Sequence, residues 1–218
     1  MKIVEVPLPE YFQKRYASYS GLTPVQEKAL NAGLLRGRSL LVCAPTASGK
    51  TLIATMAMCQ TLGYGKVIYL VPLRALANEK YKEYRQLFEG TSYKAVLSTG
   101  EVDSDSSYLA RYDLLVLTTE KLDSLLRHRV SWLGDVKTVI IDEIHLLNDT
   151  GRGPTLEIVI TLLRKLIKPQ FIGLSATIGN PQELAKWLQA ELVLDSWRPV
   201  ELKQGIHTEG KTEFYERR

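Results

Sequence analysis

The chain has 218 residues of which 45% are apolar, enough for one packed core of substantial size, and this argues against a disordered or fibrous protein. A formal charge of +4 and a pI near 8.9 suit an anionic partner without demanding one. No stretch reaches the roughly 18 uncharged apolar residues that a membrane span requires, and Met1-Lys2-Ile3-Val4-Glu5-Val6-Pro7 has no apolar signal core. The expectation is a cytoplasmic protein with no membrane partner. Cys43 and Cys59 have neither zinc-ligand nor redox-pair spacing and are expected to be small buried residues.

A polar lead-in dotted with aromatics, residues 1–24, is expected to pack on the rest of the chain. Beyond it, strand-like apolar runs alternate with 3.6-residue periodicity. Strands are expected at 39–44, 66–71, 93–98, 113–118, 136–141 and 170–174, with a seventh near 191–194. Helices are expected at 50–62, 73–89, 119–128, 154–168 and 181–190, where Pro154 and Pro181 sit at positions a helix start tolerates. Strand, crossover helix, strand predicts an α/β fold: a doubly wound, mostly parallel sheet with helices on both faces. From Trp197-Arg198-Pro199 the pattern decays into polar, Gly-punctuated sequence that reads as a connection.

The first expected strand runs into Ala44-Pro45-Thr46-Ala47-Ser48-Gly49-Lys50-Thr51 and then a helix. A strand-to-helix turn of small residues ending in Lys and a hydroxyl supplies what a polyphosphate needs: free backbone amides, a positive helix end, a cation and an oxygen for Mg²⁺. Thr46, Ala47, Ser48, Gly49 and Lys50 are expected to line the anion, Lys50 to reach the outer phosphates and Thr51 to ligate Mg²⁺. Ala44 and Ala47 stand where many such loops have glycine, which is tolerable provided that neither needs positive φ. The fifth strand, Val136-Lys137-Thr138-Val139-Ile140-Ile141, ends in Asp142-Glu143-Ile144-His145. Adjacent carboxylates at a strand's carboxyl end suit a metal partner in Asp142 and a water-orienting base in Glu143. His145 is placed to link them to Ser175-Ala176-Thr177, which comes directly after the sixth strand.

With these two motifs stand Thr23-Pro24-Val25-Gln26, Pro72-Leu73-Arg74-Ala75-Leu76-Ala77, Ser98-Thr99-Gly100, Thr118-Thr119-Glu120-Lys121 and Arg152-Gly153-Pro154-Thr155-Leu156-Glu157. In order and spacing the set resembles the first motor domain of superfamily-two helicases, in the Ski-two-like branch, over residues 1 to about 205. The resemblance implies a RecA-like fold, a lead-in over 1–24, an ATP-binding motor domain over 25–197, and at 198–218 the start of a linker to a second motor domain. It further implies ATP and Mg²⁺ as cofactors, and single-stranded or branched DNA and the second motor domain as partners, at the nucleoid.

By the same resemblance Gln26 reads adenine, Arg74, Thr99, Gly100 and Thr119 track a nucleic-acid backbone, and His145, Ser175 and Thr177 couple hydrolysis to strand movement. The implied whole enzyme is an ATP-dependent DNA helicase that translocates on single strands and unwinds duplex or branched DNA. Its arginine-bearing second domain is absent from this sequence, so this domain is expected to bind ATP yet hydrolyse it poorly. The alternatives are an RNA helicase or remodeller of the same superfamily, or a non-catalytic nucleic-acid-binding module.

Overall fold

A computed structural model describes residues 1–100, 106–201, 203–208 and 210–215. In chain order the elements are α1 (Glu10–Arg15), α2 (Pro24–Ala32), β1 (Leu40–Cys43), α3 (Lys50–Thr61), β2 (Lys66–Val71), α4 (Arg74–Leu87), β3 (Ala95–Ser98) and β4 (Leu114–Thr118). After these come α5 (Thr119–Arg127), β5 (Val136–Ile141), α6 (Gly153–Leu166), β6 (Gln170–Ser175), α7 (Pro181–Leu188), β7 (Glu191–Leu194), β8 (Gln204–Thr208) and β9 (Lys211–Tyr215). The seven expected strands and five expected helices are present, their ends displaced by at most two residues.

β1 to β7 form one sheet in the order β3-β4-β2-β5-β6-β1-β7, every pair parallel. The chain leaves β1 across β6 and β5 to reach β2, continues outward past β4 to β3, then turns back through β4, β5 and β6 and passes over β1 to β7. Crossovers of one hand that run in opposite directions place their helices on opposite faces. The packing obeys this rule. Leu40, Val42, Val67, Tyr69, Val71, Ile140 and Leu174 face a core closed by α3 and α4, and Leu41, Cys43, Ile68, Leu70, Val139, Ile141 and Phe171 face a second core closed by α5, α6 and α7. Alternate strand residues enter different cores, so strands buried on both sides read as continuous apolar runs. The arrangement is RecA-like α/β.

Two helices and a hairpin go beyond the elements expected. The lead-in is less polar in its packing than in its composition, since Ile3, Val6, Leu8 and Phe12 are buried in the first core. Thr23 and Gln26 form a capping box at the start of α2, with Pro24 in its first turn. β8 and β9 pair antiparallel outside the main sheet, within the segment expected to be a linker; of that segment, Leu202, Glu209 and residues 216–218 lie outside the described residues. Both cysteines are free and buried. Among the described residues no helix is long and apolar enough to cross a membrane.

Candidate functional site

The loop after β1 is held from three sides. The Ala44 amide donates to the Ser175 carbonyl at 3.2 Å, tying the loop's first residue to the end of β6. Thr23 Oγ1 donates to the Ser48 carbonyl at 2.8 Å, and Gln26 Nε2 donates to the Gly49 carbonyl at 3.0 Å. Gln26 Oε1 meanwhile accepts from the Thr23 amide at 2.8 Å. Gln26, only 3% exposed, fastens α2 to the loop. Gly49 has φ of 97°, and a Cβ there would sit 2.3 Å from Gln26 Nε2, so only glycine fits.

The condition placed on the loop's alanines holds at Ala44 and fails at Ala47, whose φ is 65°. A left-handed alanine costs about 1–2 kcal/mol, so the loop carries local strain of the sort found at binding turns. Thr46 and Ala47 are exposed, and Ser48 is buried with a hydroxyl that has no partner. Lys50 Nζ donates to the carbonyls of Ala44 and Pro45 at 2.6 and 2.8 Å. Burial pulls the Lys50 ammonium below its ordinary range, against the opposing pull of the Glu143 and Asp142 charges. The loop and the acidic strand end are thus within electrostatic reach, with only β6 between β1 and β5.

Asp142 continues β5 by one residue, its amide bonded to the Leu70 carbonyl at 2.9 Å. One carboxylate oxygen accepts from the Tyr69 hydroxyl at 3.0 Å and the other from the Glu143 amide at 3.1 Å. Burial raises its pKa, while the Tyr69 bond and the Lys80 charge act in the other direction. Glu143 turns the chain with a left-handed backbone, φ 52°, and starts the 3-10 segment Ile144–Asn148. His145 Nδ1 lies 3.3 Å from Glu143 Oε2 and 3.5 Å from Ser175 Oγ. The three groups expected to communicate therefore touch in sequence, whereas Thr177 is exposed and joins none of these contacts. Gly153 permits α6 to begin against this segment, because a Cβ there would lie 2.2 Å from the Leu147 carbonyl oxygen.

Hard oxygen donors in Asp142 and Thr51, an unpartnered buried hydroxyl in Ser48 and a loop bent by left-handed residues fit a phosphate-bound Mg²⁺. Among the described residues no three His, Cys, Asp or Glu side chains gather into a metal cage; Mg²⁺ characteristically takes one or two protein ligands and completes its shell with phosphate oxygens and water.

Arg74, Thr99, Gly100 and Thr119 lie at the carboxyl ends of β2, β3 and β4, on the same rim. Arg74 and Gly100 are exposed, Thr99 is half-buried and Thr119 is buried. Thr119 lines a small pocket with Asp142, Glu143 and Arg152, which brings the two groups of residues together at one point. Three contributors have no role assigned from sequence alone. Thr23 and Arg152 sit inside motifs, Thr23-Pro24-Val25-Gln26 and the block that opens at Arg152-Gly153-Pro154, and motif membership is their signal. Tyr69 is signalled only by its chemistry: a phenol in an aliphatic buried strand needs a partner for its hydroxyl.

The DEAD/DEAH box helicase family profile matches residues 23–184. The chain is 51% identical over 201 residues to the ATP-dependent DNA helicase Hel308 of Methanocaldococcus jannaschii, covering 88% of this chain and 17% of that protein. It is 48% identical over 214 residues to the Hel308 of Pyrococcus abyssi, covering 96% of this chain and 30% of that protein. Among solved structures it resembles the DUF1998 helicase MrfA, with a TM-score of 0.76 at 25% identity over 87% of this chain and 33% of that one. MrfA has also been solved bound to DNA, and that structure aligns with a TM-score of 0.74. The chain spans less than a third of the length of these curated relatives. The matched profile covers most of the chain, including the phosphate loop, the acidic strand end and the Ser175 segment, and on that ground the chain belongs to the DEAD/DEAH box helicase family.

Proposed function

We propose that the chain is the N-terminal ATP-binding motor domain of an ATP-dependent DNA helicase that translocates on single-stranded DNA and unwinds duplex or branched DNA. Residues 25–197 act as the motor domain, 1–24 as a lead-in packed on it and 198–218 as the start of a linker to a second motor domain, in a protein working at the nucleoid in the cytoplasm. The observation that carries this reading is that the loop after β1 and the acids after β5 lie on one rim of a parallel sheet with only β6 between them, bridged by Ser175, whose carbonyl accepts from the Ala44 amide and whose hydroxyl lies 3.5 Å from His145 Nδ1.

Thr46, Ala47, Ser48, Gly49 and Lys50 cradle the phosphates, and Gln26 sets the loop's position and reads the adenine edge. Thr51 and Asp142 hold Mg²⁺, which when bound neutralises charge on the outer phosphates. Glu143 orients and deprotonates the attacking water, with His145 fixing its carboxylate. Arg74, Thr99, Gly100 and Thr119 grip a nucleic-acid backbone, a task for guanidinium, hydroxyl and amide groups that read no sequence. His145, Ser175 and Thr177 relay the state of the nucleotide site. The second domain supplies an arginine worth about three to five powers of ten in rate, so this domain alone turns ATP over feebly.

Titration with a fluorescent ATP analogue tests the reading. Lys50→Ala is expected to weaken binding about a hundredfold or more; affinity equal to that of the unmodified chain would discard the loop assignment.

A further inference from the structure

Tyr69 and Tyr84 are the largest fully enclosed side chains among the described residues, and the Tyr69 hydroxyl reaches the acidic strand end from the core. Tyr69 projects from β2 on the same face as Asp142, whose Oδ2 accepts its hydroxyl at 3.0 Å. The Tyr69 ring packs on the Tyr84 ring of α4 with centroids 5.4 Å apart. The Tyr84 hydroxyl lies 3.3 Å from Thr55 Oγ1, and Thr55 Oγ1 donates to the Thr51 carbonyl at 3.0 Å. Since the single threonine proton is committed to Thr51, Tyr84 is the donor to Thr55. The path from the Thr51 carbonyl to the Asp142 carboxylate therefore runs under the site through two hydroxyl contacts, one ring contact and a third hydroxyl bond. Burial pushes both phenols well above their ordinary pKa, so they remain donors throughout the working pH range.

We propose that Tyr69 is a positioning residue for the cation-binding carboxylate, braced by Tyr84 of α4, which is tied in turn to Thr55 of α3, the helix that follows the phosphate loop. The Tyr69 hydroxyl and the Glu143 amide each hold one oxygen of Asp142, which fixes the carboxylate's plane and leaves a lone pair on each oxygen for a ligand. Outer partners of this kind orient a metal's ligands and typically change its affinity by about ten- to a hundredfold when removed. The proposal rests on the reading of Asp142 as the Mg²⁺ partner.

The test compares binding of a fluorescent ATP analogue in Mg²⁺ and in EDTA for the 218-residue chain and four variants. Tyr69→Phe, which keeps the ring and removes one oxygen, is expected to lose about tenfold of the affinity that Mg²⁺ adds while leaving binding in EDTA unchanged. Tyr84→Phe is expected to lose about two- to threefold of the same increment, and decides the matter by that comparison should Tyr69→Phe not fold. Thr138→Val breaks another buried hydroxyl pair, Thr61 with Thr138, on the strand that carries Asp142; it is expected to lower the melting temperature without altering the Mg²⁺ increment. A Mg²⁺ increment equal to that of the unmodified chain in the tyrosine variants, or equal weakening in Mg²⁺ and EDTA, overturns the proposal. If Lys50→Ala abolishes binding and the tyrosine variants behave in this way, the brace alone falls. If the unmodified chain shows no Mg²⁺ increment, the reading of the metal site falls and the brace with it.

Discussion

The rim of the sheet has two halves that differ in how far they are organised before any ligand arrives. At the ends of β1, β5 and β6 the charged groups and the histidine already have partners: Lys50 with the Ala44 and Pro45 carbonyls, Asp142 with Tyr69, and His145 with Glu143 and Ser175. At the ends of β2, β3 and β4, Arg74 and Gly100 are exposed, and among the described residues, chain neighbours aside, no atom lies within 4 Å of where a Gly100 side chain would begin. The first half suits a compact ligand with fixed geometry. The second suits a long flexible one that brings its own shape.

Three substitutions bear on this contrast. Glu143→Gln, measured in the chain joined to a second motor domain of the same family, is expected to lower ATP hydrolysis by about two to four powers of ten with nucleotide affinity nearly unchanged; retained turnover would show that the acidic strand end is ordered for some purpose other than chemistry. Arg74→Ala is expected to weaken binding to a single-stranded oligonucleotide severalfold for all sequences alike and to reduce the slope of log affinity against log salt by about one. An unchanged slope would remove this half of the rim from the backbone track, and a parallel loss of nucleotide affinity would mean that the two halves are not independently organised. Ala47→Gly has the smallest expected effect. Relief of a left-handed alanine, about 1–2 kcal/mol, exceeds the extra chain entropy of glycine, about 0.5–1 kcal/mol, so the melting temperature is expected to rise by about 1–4 °C. A fall would mean that the exposed methyl packs against something in solution.

The sheet and the loop are legible because each is written in consecutive residues. Val139-Ile140-Ile141 before two acids leaves little choice of structure, and Gly49-Lys50-Thr51 between a strand and a helix is local chemistry. The features that stay hidden depend on distance. α2 carries its own signature in Thr23 and Gln26, a cap residue and an amide three apart, but nine residues with few large apolar side chains give a faint periodicity. The hairpin of β8 and β9 is exposed along β9, so no buried face marks it. Tyr69 and Thr55 meet Asp142 and Tyr84 only after β2, β5, α3 and α4 have stacked, and nothing local announces a bond between residues 73 apart in sequence. The positive φ of Ala47 is hidden for a different reason. Alanine has no intrinsic preference for that conformation, and the loop imposes it from outside through Thr23 and Gln26.

Ser175 touches both the loop and His145, the neighbour of the acids. Its carbonyl holds the Ala44 amide and its hydroxyl reaches His145 at 3.5 Å, near the outer limit of a hydrogen bond. Its main chain is locked opposite Cys43 in the sheet, so the only freedom left to it is rotation about a single bond, with three settings about 120° apart. Whatever passes through that contact therefore does so in steps and not by gradual sliding, and the strand can report a change while its own backbone stays still.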